Sequence, residues 1–244
     1  MGCGNAPMCN NKIRVAPIVS ITVSKNSLFQ NMKLNEHKEI KNKIYEKISY
    51  SNGNKCPYYF ITLQYGFYDD NGYLIDFNTL CKYWDKTEVG KTVRLVRNLL
   101  RETFGINGFY AFTEQHKGQR DQYGDVIKKG RYHNHIITTS IDNDKITNPN
   151  RKTKRVLSKL GWTDKPLNEL PITSLDEYKI CLLETCIQKA DWVNRYSHSI
   201  KTEIIPTKAD LRRVVDYCLK DFNPTTGLDF IDIIDFANSD FSIP

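Results

Sequence analysis

Eight consecutive residues, Tyr58-Tyr59-Phe60-Ile61-Thr62-Leu63-Gln64-Tyr65, constrain the fold more than any other stretch of the chain. Aromatic and β-branched side chains dominate the run, and such residues suit a pleated, half-buried surface, so it reads as a buried strand. Two more strands are expected at about residues 108–115 (GFYAFTEQ) and 131–139 (RYHNHIITT). The polar stretch between them contains Gly118, Gly124 and Gly130 and reads as a long, mobile hairpin loop. A further strand is expected at 193–205. One more is expected at 18–23, within an otherwise irregular lead.

Helical periodicity separates these strands. Val93, Val96, Leu99, Leu100 and Phe104 form the apolar stripe of an amphipathic helix, with Gly105 placed to end it. Other helices are expected at 34–48, 152–160, 175–190 and 208–221, the last capped by Thr207 after Pro206. Helices interspersed with adjacent, antiparallel-looking strands make the class α+β. We expect three parts: an N-terminal extension of unknown role over 1–55, the main domain over 56–222, and an acidic C-terminal tail over 223–244.

The chain has 244 residues, enough to bury a sizeable core. No apolar run approaches the ~20 residues that a membrane helix needs. The start lacks the basic and apolar blocks of a signal peptide, and Ala6 stands where a myristoylation signal requires Ser or Thr. A cytoplasmic location is therefore expected. Seven cysteines, an odd number with no C-x-x-C pair, read as free thiols. The net charge of +7 is unevenly spread: between Gln115 and Lys159 eleven Lys or Arg stand against four Asp, whereas from Asp221 onward there are five Asp and no cation. A basic centre with an acidic tail fits a phosphate-binding surface, and it equally fits a solvated basic loop.

The sharpest chemical feature is Tyr132-His133-Asn134-His135-Ile136-Ile137. On a strand, residues i and i+2 share a face, so His133 and His135 project together while Asn134 points the other way. Two imidazoles on one sheet face form half of a metal site. Pairing of this strand with the preceding one would bring the Glu114 carboxylate beside them, with Gln115 and His116 as fallback ligands. Two imidazoles and one carboxylate leave coordination positions open, as catalytic metal sites do. Phosphate chemistry favours Mg²⁺ or Mn²⁺ there, although imidazole ligands also suit zinc. Near the C-terminus, Tyr217 and Lys220 are spaced to share a helical face. A tyrosine hydroxyl is a poor nucleophile until a cation or metal favours its anion, and a lysine one turn away supplies that bias. Taken alone, the same spacing describes an ordinary amphipathic helix.

Gly90-Lys91-Thr92 looks like the end of a phosphate-binding P-loop, but Asp85 stands where the loop's first glycine belongs. No ATPase is expected, and no nucleotide cofactor. Lys117, Arg120, Lys128, Lys129 and Arg131 flank the histidine motif as candidate contacts to DNA phosphates. Tyr65, Tyr123 and Tyr132 are candidates for stacking on unpaired bases.

In order, the hydrophobic strand, the His133-Asn134-His135 motif after Glu114, and Tyr217-x-x-Lys220 resemble the motifs of the HUH endonucleases, over roughly residues 58–222. The resemblance is to single-tyrosine replication initiators (Rep proteins) of small phages, plasmids or single-stranded DNA viruses. It implies an RRM-like endonuclease fold, a central antiparallel sheet flanked by helices, with the histidine strand near the middle of the sheet and the tyrosine helix packed across it. It also implies that His133, His135 and Glu114 hold the metal. Tyr217 would attack single-stranded DNA at a replication origin, assisted by Lys220, leaving a 5′-phosphotyrosine link and a free 3′-hydroxyl. Such a chain would borrow a host helicase. Asn134 departs from the family pattern, which commonly has a bulky hydrophobic residue between the histidines. A single-strand transposase of the HUH type and a non-catalytic DNA-binding protein are the alternative readings.

Overall fold

The computed structural model describes residues 34–65, 85–115, 119–120, 122–124, 126–128, 130, 132–163, 165–188, 199–222 and 233–241. All belong to one unit, Met32–Pro244. The expected strand at 18–23, together with Cys3 and Cys9, lies outside the described residues.

Among the described residues, six helices and a four-stranded antiparallel sheet make up an α+β fold. The sheet strands are β1 (Tyr58–Gln64), β2 (Phe109–Gln115), β5 (Tyr132–Thr139) and β6 (Ser199–Ile205), in the order β2-β5-β1-β6. Two short strands, β3 (Gln119–Arg120) and β4 (Val126–Lys128), pair with each other between β2 and β5. The stretch expected to be a bare hairpin loop therefore carries a small two-stranded ribbon, which its three glycines obscure in the sequence.

Helices cover both sides of the sheet, which is why β1 and β5 are buried almost end to end instead of alternating. On one side, Tyr59, Ile61, Leu63, Phe109, Ala111 and Ile136 pack against α2 (Lys86–Phe104), α4 (Arg151–Lys159) and α5 (Leu175–Gln188). On the other, Tyr58, Phe60, Tyr110, Phe112 and Ile137 meet α1 (Leu34–Ser51) and α6 (Lys208–Cys218) through Ile44, Ile48, Leu211, Val215 and Cys218. The short α3 (Asn143–Thr147) has no buried residues and no apolar period that would announce it.

Local chemistry sets the helix ends. Asp85 caps α2 by accepting the Thr87 N–H, and Gly105 ends the helix at φ +67°, a left-handed conformation that glycine adopts without steric cost. Gly90-Lys91-Thr92 thus lies inside α2, where its amides are bonded within the helix and cannot cradle a phosphate. Thr207 caps α6 by accepting the Asp210 N–H. That helix ends at Cys218, earlier than the expected 221, and Lys220 sits in the following turn with its N–H donated to the Tyr217 carbonyl at 3.2 Å.

Ile44 and Ile48 of α1 share a core with α6, and the Arg212 guanidinium lies 4.0 Å from the centre of the Tyr45 ring. Residues 233–241 run along the outer edge of β2: the Asp235 and Asp240 N–H groups donate to the Ala111 and Phe109 carbonyls at 3.0 and 2.8 Å. The Asp240 carboxylate accepts the Phe109 N–H and pairs with Arg97 and Arg101. Part of the acidic tail is thereby a strap over a sheet edge, where open N–H and C=O groups would otherwise invite pairing with another chain.

Candidate active site

The register of the sheet builds the site. β5 lies between β2 and β1, with Glu114 opposite His133 and Thr62 opposite His135. The site face therefore presents Glu114 from β2, His133 and His135 from β5, and Phe60 and Thr62 from β1. Both imidazoles are about 4% exposed. Their Nε2 atoms stand 3.0 Å apart, and each lies 3.2–3.3 Å from Glu114 Oε2. Three donor atoms held around an ion at about 2.1 Å, at angles between octahedral and tetrahedral, are spaced by about 3.0–3.4 Å. The observed triangle matches, so Glu114, His133 and His135 can hold a metal ion. Gln115 is not part of this group, since its side-chain amide donates to the Gly130 carbonyl at 2.7 Å. His116 lies outside the described residues.

Neighbouring side chains fix the orientation of these three. Thr62 Oγ1 is 3.3 Å from His135 Nδ1, and Phe60 stacks on the His135 ring at a centroid distance of 5.2 Å. The far oxygen of Glu114, Oε1, accepts Lys220 Nζ at 2.8 Å. Burial pushes the Glu114 carboxyl up, but the Lys220 hydrogen bond and the nearby His133 and Lys220 charges outweigh it, holding the group below its usual range. For Lys220, burial pulls the ammonium down, and the Glu114 hydrogen bond and charge more than restore it. Thr62 and Phe60 are legible as strand residues but not as site residues, because only the strand register places them beside His135.

Tyr217 comes from α6. Along that helix Leu211, Val215 and Cys218 face the core, whereas Asp210, Arg213, Val214 and Tyr217 recur at helical spacing along an open cleft of about 770 Å³. The floor of the cleft includes Phe60, Thr62, Gln64, Lys201 and Glu203, and its inner wall is Glu114, His133 and His135. Tyr217 is 45% exposed, with its ring centre 5.2 Å from that of His135 and Lys220 Nζ 4.2 Å from its own. The adjacent Cys218 is buried, which drives its thiol pKa up and keeps the sulfur neutral and inert.

No family model, curated protein or solved structure matches this chain. The geometry of the site alone therefore carries its chemistry.

Asn134 points to the opposite side of the sheet, as its place in the strand requires. It is wholly buried: its Oδ1 accepts the Tyr65 hydroxyl at 2.5 Å and its Nδ2 donates to Thr113 Oγ1 at 3.0 Å. Tyr65 is thus a core residue and not a stacking platform for bases. Tyr132 is partly buried against the same core, while Tyr123 is 81% exposed. Among the candidate phosphate contacts, Lys117, Lys129 and Arg131 lie outside the described residues. Arg120 and Lys128 fall on β3 and β4, where the backbone alone is described. Among the described residues no helix is long and apolar enough to cross a membrane.

Proposed function

We propose that the chain is a metal-dependent endonuclease of the HUH type that nicks and rejoins single-stranded DNA through Tyr217, in the manner of a replication initiator. One observation carries this reading: a sheet-borne Glu114–His133–His135 triangle of metal-ligand dimensions meets an exposed helical tyrosine at the wall of an open cleft. Mg²⁺ or Mn²⁺ is the ion we assign, because three protein donors leave positions for phosphate oxygens and water. When bound, it supplies Lewis-acid polarisation of the scissile phosphate.

The chain's own groups do the rest. Glu114 and the two imidazoles hold their lone pairs toward one point, and Lys220 and Thr62 keep them there. The Tyr217 oxygen attacks phosphorus and loses its proton; a phosphotyrosine bond to the 5′ side forms as the bond to the 3′ oxygen breaks, and that oxygen takes up a proton. The number of phosphoester bonds is unchanged, so the reverse reaction rejoins the strand without ATP. Lys220 places positive charge against the Tyr217 ring, which favours the anionic oxygen in the transition state.

A denaturing gel with labelled single-stranded oligonucleotides and Mn²⁺ tests the proposal. Wild type should give a metal-dependent, denaturation-resistant adduct that Tyr217→Phe and His133→Ala both abolish. An adduct that survives in Tyr217→Phe would assign the nucleophile to another residue.

A further inference from the structure

Among the described residues, the cations in and beside the cleft are already engaged. Lys201 pairs with Glu203, Arg213 with Asp210, and Lys220 with Glu114. Helix α4, on the opposite side of the sheet, is different. Its nine residues, RKTKRVLSK, include five cations and no acid. Thr153, Val156 and Leu157 turn inward, which leaves Arg151, Lys152, Lys154, Arg155 and Lys159 exposed on the outer face. Only Lys152 has an acidic partner, Glu102, among the described residues.

The helix is also rigidly mounted. Asn150 Oδ1 accepts the Lys152 and Thr153 N–H groups at 2.8 and 2.9 Å, and Thr153 Oγ1 donates to the Thr103 carbonyl at the end of α2 at 2.7 Å. Four cations without an acidic partner among the described residues are thereby held along about 12 Å of helix. The face carries no aromatic residue, and nearby Trp162 is buried and stacked on Tyr178. A single-strand surface needs exposed rings for bases to stack on, whereas a duplex backbone needs only fixed positive charge, at one phosphate per ~1.7 Å of axis.

We infer that α4 is a second nucleic-acid site, which binds the phosphate backbone of double-stranded DNA through Arg151, Lys154, Arg155 and Lys159, apart from the cleft. The choice of DNA as the ligand rests on the proposed function, but the test does not need cleavage. Fluorescence anisotropy with a labelled duplex in EDTA would compare wild type, R151Q/K154Q/R155Q/K159Q, and a control of equal charge change, K38Q/K41Q/K43Q/K55Q. Circular dichroism would check folding of each.

The α4 variant should bind the duplex at least ~10-fold more weakly at physiological salt. Its log–log salt slope should fall by up to ~3.6, near ~0.9 for each phosphate that is no longer neutralised. The control should stay close to wild type. Equal weakening in both variants would reduce the effect to net charge and overturn the inference, as would undiminished duplex binding by the α4 variant. Weakening confined to single-stranded DNA would overturn it too, by assigning α4 to the substrate strand. A wild type that binds duplex through α4 but forms no adduct in Mn²⁺ would leave this site standing and remove the nicking reaction.

Discussion

Strand β5 carries buried polar side chains on both faces, and the two faces handle them in different ways. On one side Asn134 is enclosed between Tyr65 and Thr113, whose hydroxyls meet its oxygen and its nitrogen. Donors are matched to acceptors, so the group is complete without any visitor. On the other side His133 and His135 bring two ring nitrogens to within 3.0 Å of each other, beside a carboxylate oxygen. Such a group converges its donor atoms on one point beside a cleft, so it can hold a cation. A closed polar network positions a strand, whereas a convergent one is a site. Asn134, the residue between the two histidines, belongs to the closed network.

The contrast predicts a wide separation in metal affinity. His133→Ala or His135→Ala should weaken Mn²⁺ binding by at least ~100-fold in calorimetry, more than is expected from removing a residue that only supports a ligand. Asn134→Ala should leave that affinity within a few-fold of wild type. A comparable loss of Mn²⁺ from the asparagine variant would erase the distinction between the two faces. Next in size is Lys220→Met, which removes the hydrogen bond to Glu114 Oε1. Metal affinity should fall by ~10-fold or more, the usual effect of removing a hydrogen-bond partner of a ligand. No change in affinity would mean that Lys220 serves only Tyr217.

On stability the order reverses. Asn134→Ala removes the acceptor of the Tyr65 hydroxyl and the donor to Thr113 inside the core and should cost about 2–3 kcal/mol in urea unfolding. Removing all three polar groups together, as Asn134→Leu with Tyr65→Phe and Thr113→Val, should recover much of that loss. A triple variant less stable than the single one would show that the network does more than satisfy itself.

The smallest effect is that of pH on the metal-free protein. The Glu114 carboxyl sits below its usual range in the folded state, so its contribution is present above the unfolded carboxylate pKa and disappears as pH falls through the folded value. Stability of wild type relative to Glu114→Gln should therefore be larger at pH 7 than at pH 3, by about 1 kcal/mol given the partial exposure of the pair. An advantage that grew toward acid would contradict the Glu114–Lys220 assignment.

Periodicity carries much of this fold. The alternation in RYHNHIITT places His133 and His135 on one face and Asn134 on the other, and the helix stop at Gly105 and start at Thr207 are legible from their chemistry. What escapes a reading of the sequence depends on distant partners. Phe60 and Thr62 join the site only because β1 pairs with β5 in a particular register, and nothing local in FITL encodes that. The turn that ends α6 before Lys220 sends its ammonium to Glu114, a partner on another element. Tyr65 resembles a stacking residue because its hydroxyl partner, Asn134, is far along the chain. Acidic composition masks the strap at 233–241, since Asp240 is neutralised by arginines of α2.

The most direct test of the central claim is a crystal of the protein soaked in Mn²⁺ and measured for anomalous scattering. One strong peak is expected about 2.1–2.2 Å from His133 Nε2, His135 Nε2 and Glu114 Oε2, beside Tyr217. No peak there, or a peak held by other residues while these three kept their present hydrogen bonds, would contradict it.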